Sequence, residues 1–164
     1  MSCKTCSSHP VWKFTNQRQL CTNCFVDYFE RKILATIRKQ GGLTNNIQIE
    51  KKDIRSKIIQ NIISPIHVEN SQKKKLIVKN LNDLSLDIMS NLIYKQKPKS
   101  KNEKNNLAPL IELSDDEIKI YCTIKKLKFN IKRKLSKKQK DLDEFIAGFE
   151  KTNPDVRHGI ANSI

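Results

Sequence analysis

The chain has 164 residues, with Lys+Arg 32 against Asp+Glu 17 and a formal net charge of +15. Hydrophobic residues make up 37%, with 4 Gly and 5 Pro, which excludes a collagen-like chain, a Gly/Ser linker protein and a disulfide-dense toxin. No apolar run is long enough to span a bilayer and the start does not read as a signal peptide, so no membrane partner is expected.

Four of the five cysteines, Cys3, Cys6, Cys21 and Cys24, follow the pattern C-x2-C-x14-C-x2-C. A CxxC knuckle turns tightly enough to aim two sulfurs at one ion, and two knuckles supply the four thiolates of a closed tetrahedral site. Structural Zn²⁺ is the expectation. Two disulfides or an iron–sulfur cluster are the other uses of four such thiols. With the shell already full, His9 reads as a surface histidine. Between the knuckles, Val11, Trp12, Lys13 and Phe14 predict a short hairpin turned near Asn16-Gln17. Phe25, Tyr28, Phe29, Ile33 and Ile37 recur at helical spacing directly after the second knuckle, and Gly41-Gly42 predicts the stop. A knuckled hairpin followed by a knuckle that opens a helix is a treble-clef-like finger. Its helix carries Arg31, Lys32, Arg38 and Lys39, which suit phosphate contact or an ordinary solvated face.

Residues 43–75 are polar and poorly patterned apart from an Ile stripe, Ile54, Ile58, Ile59, Ile62 and Ile63, ended by Ser64-Pro65. Leu76-Ile77-Val78 reads as a short buried strand, Asn80 to Asp83 as a turn, and Leu84 to Ile93 as a helix. Residues 95–106 are a charged, low-complexity linker. Ser114-Asp115-Asp116-Glu117 is a capping box that opens another helix, and a last helix is predicted over about residues 137–151, ended by Asn153-Pro154. From Lys119 to Lys140 there are ten basic residues and no acidic one. Lys125, Lys126, Lys128, Lys132, Arg133 and Lys134 are the candidates there for phosphate, with Tyr121 and Phe129 as aromatics able to stack on a base. A lysine-rich surface inflated by A/T-rich codons is the alternative. Cys122 reads as a small buried hydrophobe. No Walker A loop, GxGxxG or credible Ser-His-Asp order occurs, so no ATP site is evident.

Several of these pieces, in order, resemble one family: the catalytic subunit of cytoplasmic tRNA 2-thiolation, the wobble-uridine thiouridylases of the PP-loop ATPase superfamily. That family opens with a CxxC…CxxC finger running into a helix of the form CFxxxFExxIxxTIRK. Here Cys24-Phe25-Val26-Asp27-Tyr28-Phe29-Glu30-Arg31-Lys32-Ile33-Leu34-Ala35-Thr36-Ile37-Arg38-Lys39 is similar. Lys79-Asn80-Leu81-Asn82-Asp83 stands where the family has HNxDD after a strand. Pro109-Leu110, Asp116-Glu117-Ile118, Tyr121 and Lys125 to Phe129 resemble its C-terminal pattern, and Leu142, Phe145, Phe149-Glu150 and Pro154 resemble its closing helix. The SGGKDS pyrophosphate loop and both catalytic cysteine segments have no counterpart, and Cys122 falls where the family has Ala.

The resemblance implies an α-rich α/β fold: a treble-clef-like four-cysteine zinc finger followed by a truncated remnant of a PP-loop α/β core. It divides into a finger and helix (1–40), a connecting region (41–75), a strand–helix remnant (76–94), a basic linker (95–106) and a C-terminal helical region (107–164). It implies a cytoplasmic protein with tRNA as partner, and a second thiolation subunit or PP-loop protein to complete the chemistry. Autonomous catalysis is not expected. The rival readings are a zinc-containing protein–protein adaptor with no RNA role and an enzyme subunit completed by a second chain.

Overall fold

The computed structural model describes residues 2–15, 17–49, 53–66, 72–94, 105–131 and 133–163. Asn16, His67, Lys132 and most of the expected linker, residues 95–104, lie outside them. The chain begins with a two-stranded antiparallel ribbon, β1 (Trp12–Lys13) and β2 (Gln19–Leu20), with Trp12 opposite Leu20. It runs through Cys21 into α1 (Thr22–Lys39), which buries Phe25, Phe29, Ile33, Thr36 and Ile37. These positions follow the helical repeat on one face, as the sequence pattern predicts. Gly41 and Gly42 stop the helix at positive φ, 85° and 77°, where a side chain would be strained. The Gly42 N–H then reaches back to the carbonyl of Ile37 at 3.0 Å.

A three-stranded parallel sheet follows, in the order β3 (Asn46–Ile49), β4 (Lys73–Leu76) and β5 (Asn106–Leu107). Two of its strands were not expected, and the third is displaced toward the N-terminus of the predicted Leu76–Val78 segment. The ladder decides this: Asn46 to Ile49 pair with Lys73 to Leu76, and Lys75 and Leu76 with Asn106 and Leu107. Three lysines therefore occupy most of a central strand. Lys74 is 3% exposed, and its ammonium donates to the carbonyls of Gln40, Gly41 and Gly42 at 3.1, 3.0 and 2.9 Å. A cation here meets the negative end of α1 and satisfies carbonyls that the helix leaves without partners.

Between strands lie α2 (Ile54–Ile63), capped by Asp53 and stopped at Ser64-Pro65 as expected, and α3 (Leu81–Ile93). Asn80 to Asp83 is the start of that helix rather than a turn, because Asn80 and Asp83 form a reciprocal capping box. After β5, whose Asn106 closes the segment read as linker, comes α4 (Asp115–Ile124) on the predicted Ser114–Glu117 box. Next are α5 (Lys137–Glu150) and an unpredicted α6 (Val156–Asn162), which begins just past Pro154.

One core joins the ribbon, α1, α2, the sheet and α4. Leu20, Phe25, Phe29, Ile33, Ile58, Ile59, Leu107, Leu110, Leu113, Ile118 and Cys122 are each 0% exposed within it. A smaller cluster, Leu86, Leu142 and Ile146 with Met89, Leu135, Val156 and Ile160 around it, packs α5 and α6 on α3. Arg157 of α6 is buried there, bonded to Ser85 at 3.1 Å and Asp143 at 2.9 Å.

Candidate metal centre and basic surface

Both knuckles are held by backbone bonds before any metal is considered. In the first, the Cys3 N–H donates to Ser8 at 2.8 Å and the Ser7 N–H to Cys3 at 3.0 Å, with Ser7 in the left-handed region at φ 61°. The Lys4 N–H bonds the Gln19 carbonyl at 3.0 Å, which fixes this knuckle on β2. In the second, Cys21 is the N-cap of α1 and accepts the Phe25 N–H at 2.8 Å, and Cys24 lies in the first turn. The four sulfurs lie within 4.8 Å of one another, with Cys6 to Cys21 at 3.3 Å and Cys24 to Cys6 at 3.6 Å. Four thiolates bonded at about 2.3 Å around one tetrahedral ion stand roughly 3.8 Å apart, so the donor set fits a single ion.

Cys3 and Cys21 are buried, Cys24 is half-buried and Cys6 is exposed. Burial opposes ionisation of Cys3, but N–H groups of Cys21, Thr5 and Cys6 outweigh it and bring the thiol from 9.0 down to about 6. Cys6 is lowered too, first by the Ser8 hydroxyl. Cys24 turns its S–H to the Cys6 and Cys21 sulfurs and is pushed up to about 12. Cys3, Cys6, Cys21 and Cys24 are therefore the residues that could hold a metal ion. His9 is exposed and outside the cluster.

The basic candidates fall into two groups. α1 and α4 pack side by side, with Phe29 stacked on Tyr121 at 4.1 Å and Tyr121 donating to Glu30 at 2.8 Å. Tyr28 of α1 donates in the same way to Glu117 of α4, at 2.8 Å. Burial, then the carboxylate each hydroxyl serves, keeps both phenols protonated. On this pair of helices Arg31 meets Asp27 at 2.8 Å, Lys39 meets Glu112 at 3.0 Å and Lys125 meets Glu30 at 3.2 Å, all exposed enough to exchange partners. Lys32 is less available: it donates to the Tyr28 hydroxyl at 2.9 Å and sits 3.7 Å from Glu117. Arg38, Lys126, Lys128 and Lys134 are exposed.

Arg133 differs from its neighbours. It bonds Asp83 at 2.5 Å and Asp115 at 2.6 and 2.7 Å, so its donors are committed within the fold. Nothing in the run of lysines distinguishes it beforehand. Tyr121, 4% exposed and stacked on Phe29, cannot offer its face to a base, whereas Phe129 is 37% exposed. Cys122 is fully buried as expected, and burial pushes its thiol up to about 11.

Lys126 ends α4 in the left-handed region, at φ 54°, while the Leu127 N–H closes back on Cys122 at 2.8 Å. This is the position where glycine is favoured, and a lysine there costs about 1 kcal/mol.

These features define a helix-rich α/β protein with a four-cysteine metal-binding cluster at its N-terminal end. Its fold is similar to that of the U34-tRNA thiolase NcsA from Methanococcus maripaludis, solved with its [4Fe-4S] cluster. The TM-score is 0.67 at 13% identity, over 98% of this chain and 85% of that one. No protein-family model matches the sequence, and no curated protein matches it. At this identity the likeness is one of fold.

Proposed function

We propose that the protein is a tRNA-binding, thiolase-like protein linked to 2-thiolation of wobble uridine, acting in the cytoplasm and not catalytic alone. The observation that carries this reading is the thiolase-like fold spanning 98% of the chain. The exposed cations on and after α1 and α4 and the net charge of +15 support an RNA partner. Cys3, Cys6, Cys21 and Cys24 hold a structural zinc, and a second subunit supplies the nucleotide chemistry.

Zinc is favoured over a four-iron cluster by the sulfur spacing. A cubane puts each thiolate on a separate iron, so its thiolates stand wider apart than four on one ion. The sulfurs here are within 4.8 Å of each other. Elemental analysis of anaerobically purified protein should give one zinc per chain; iron with a broad visible absorption would replace this assignment.

RNA binding is tested with purified, metal-loaded protein and tRNA at about 50 and 200 mM salt. Affinity should fall by roughly 10²-fold or more if several phosphates are contacted. Binding that ignores salt, or no binding at either salt, favours the protein–protein adaptor. A Lys126→Gly variant separates fold from contact. It should gain about 1 kcal/mol of stability from relief at the left-handed position, measured by urea unfolding, yet bind tRNA more weakly. A variant that is more stable and binds equally well removes Lys126 from the interface.

A further inference from the structure

The family resemblance implies an ATP phosphate site, and parallel α/β sheets place such ligands outside the carboxyl ends of their strands, where helices begin. In this chain the N-termini of α2, α3 and α4 meet there, beside a cavity of about 290 Å³ lined by Arg55, Lys79, Asp83 and Arg133 among others. Three helix starts with two arginines are the ingredients of an anion site.

Donors at each of the three helix starts are already taken. At the start of α2, the Arg55 and Ser56 N–H groups bond the Asp53 carboxylate at 2.9 and 3.4 Å. At α3, the Asp83 N–H bonds the Asn80 side chain at 3.2 Å and the Leu81 N–H bonds the Leu113 carbonyl at 2.9 Å. At α4, the Asp115 N–H bonds the Asn82 side chain at 3.0 Å. The guanidiniums are matched as well. Arg55 lies 2.8 Å from Asp53 and 2.5 Å from Asp83, and Arg133 bridges Asp83 and Asp115. Lys79 is paired with Asp87. Arg55 is 2% exposed, so this arrangement is built into the interior and is not a chance surface pairing.

We infer that the crevice is an anion site filled by the chain's own carboxylates: Asp53, Asp83 and Asp115 hold the groups a nucleotide phosphate would need. The fold keeps the convergence of helix starts, while its residues convert a ligand site into an internal brace. The residues present therefore do not fit ATP. The inference stands apart from tRNA binding, which rests on exposed cations outside this network of pairs, Lys134 at the cavity among them.

The test compares wild type with Asp83→Asn by thermal unfolding in sodium pyrophosphate and in sodium chloride at matched ionic strength, with a Mg-ATP titration of wild type. Asparagine keeps the shape and removes one negative charge. The expected result is that wild type takes up no Mg-ATP. The variant should melt lower in chloride but gain several degrees more than wild type in pyrophosphate, rising with its concentration. Asp53→Asn, which keeps an N-cap, is the second variant if Asp83→Asn fails to fold. Saturable Mg-ATP binding by wild type, or no excess gain in a folded variant, would overturn the inference.

Discussion

Replacing Cys21 with serine is expected to unfold far more than the finger. Cys21 is one of the four clustered cysteines that could hold a metal ion, the N-cap of α1 and, at 6% exposed, part of the main core. Small metal-held modules commonly depend on the ion for their fold. Here the helix that starts at the centre also carries Phe25, Phe29, Ile33 and Ile37 into the same core as Leu76, Leu107 and Ile118. Loss of an ion held there would free the start of that helix and take the longest helix out of the core. The expected effect is a fall in melting temperature on the order of 10 °C or more, together with loss of stoichiometric metal. A strong chelator should reproduce it with wild type. If Cys21→Ser melts within a few degrees of wild type, the four sulfurs are packed thiols and the metal centre is not structural.

The second large effect is expected at Arg55. Its side chain is 3% exposed, between Asp53 at 9% and Asp83 at 15%. Breaking a buried pair leaves desolvated charges without compensation, so Arg55→Met should cost about 3–5 kcal/mol. Arg31→Ala, which removes a surface pair with Asp27 whose side chains are 78% and 56% exposed, should cost under about 1 kcal/mol. Equal costs in urea unfolding would show that the network contributes nothing special.

The same network sets an acid limit. Burial pushes Asp83 up, but Arg133 and Arg55 outweigh it and hold the carboxyl below its ordinary 3.8. A carboxyl with a depressed folded pKa stabilises the fold fully above its unfolded value. That stabilisation is lost as pH falls through the folded pKa. This contribution should therefore be constant from neutrality to about pH 5 and decline below about pH 4. Unfolding followed across that range in wild type and Asp83→Asn should show the slope reduced in the variant.

How legible these features were depended on how local their causes are. The two knuckles, the helix behind them and the Ser114–Glu117 cap were visible because ligand spacing, helical period and capping each act within a few residues. Asn46 to Ile49 does alternate, with Ile47 and Ile49 turned inward, but four residues of alternation carry little weight without a partner strand. The partner lies nearly thirty residues on and is written in lysine. A charged strand is foreign to the usual pattern of buried parallel sheets. It becomes intelligible only when the end of α1 is seen to need a cation. Arg133 was hidden for the converse reason: among the described basic residues of that run it is the one that faces inward, and the sequence carries no mark of it. The Asp and Asn residues that start α2 and α3 were the one available hint, since caps in that position collect charge around helix starts.

The bonds from Lys74 to Gln40, Gly41 and Gly42 make the end of α1 a joint between finger and sheet. A peptide cut after residue 40 would keep its four sulfurs but lose the ammonium that closes its helix and the apolar partners of Phe29 and Ile33. With the structural ion proposed above, coupling of this kind would turn metal supply into a control on abundance. Loss of such an ion would be expected to expose the interior of the sheet as well as a loose end, and quality-control proteases act on such exposed states. On the proposed zinc assignment, the protein in a zinc-poor cell would then disappear, instead of persisting as a folded chain with an empty site.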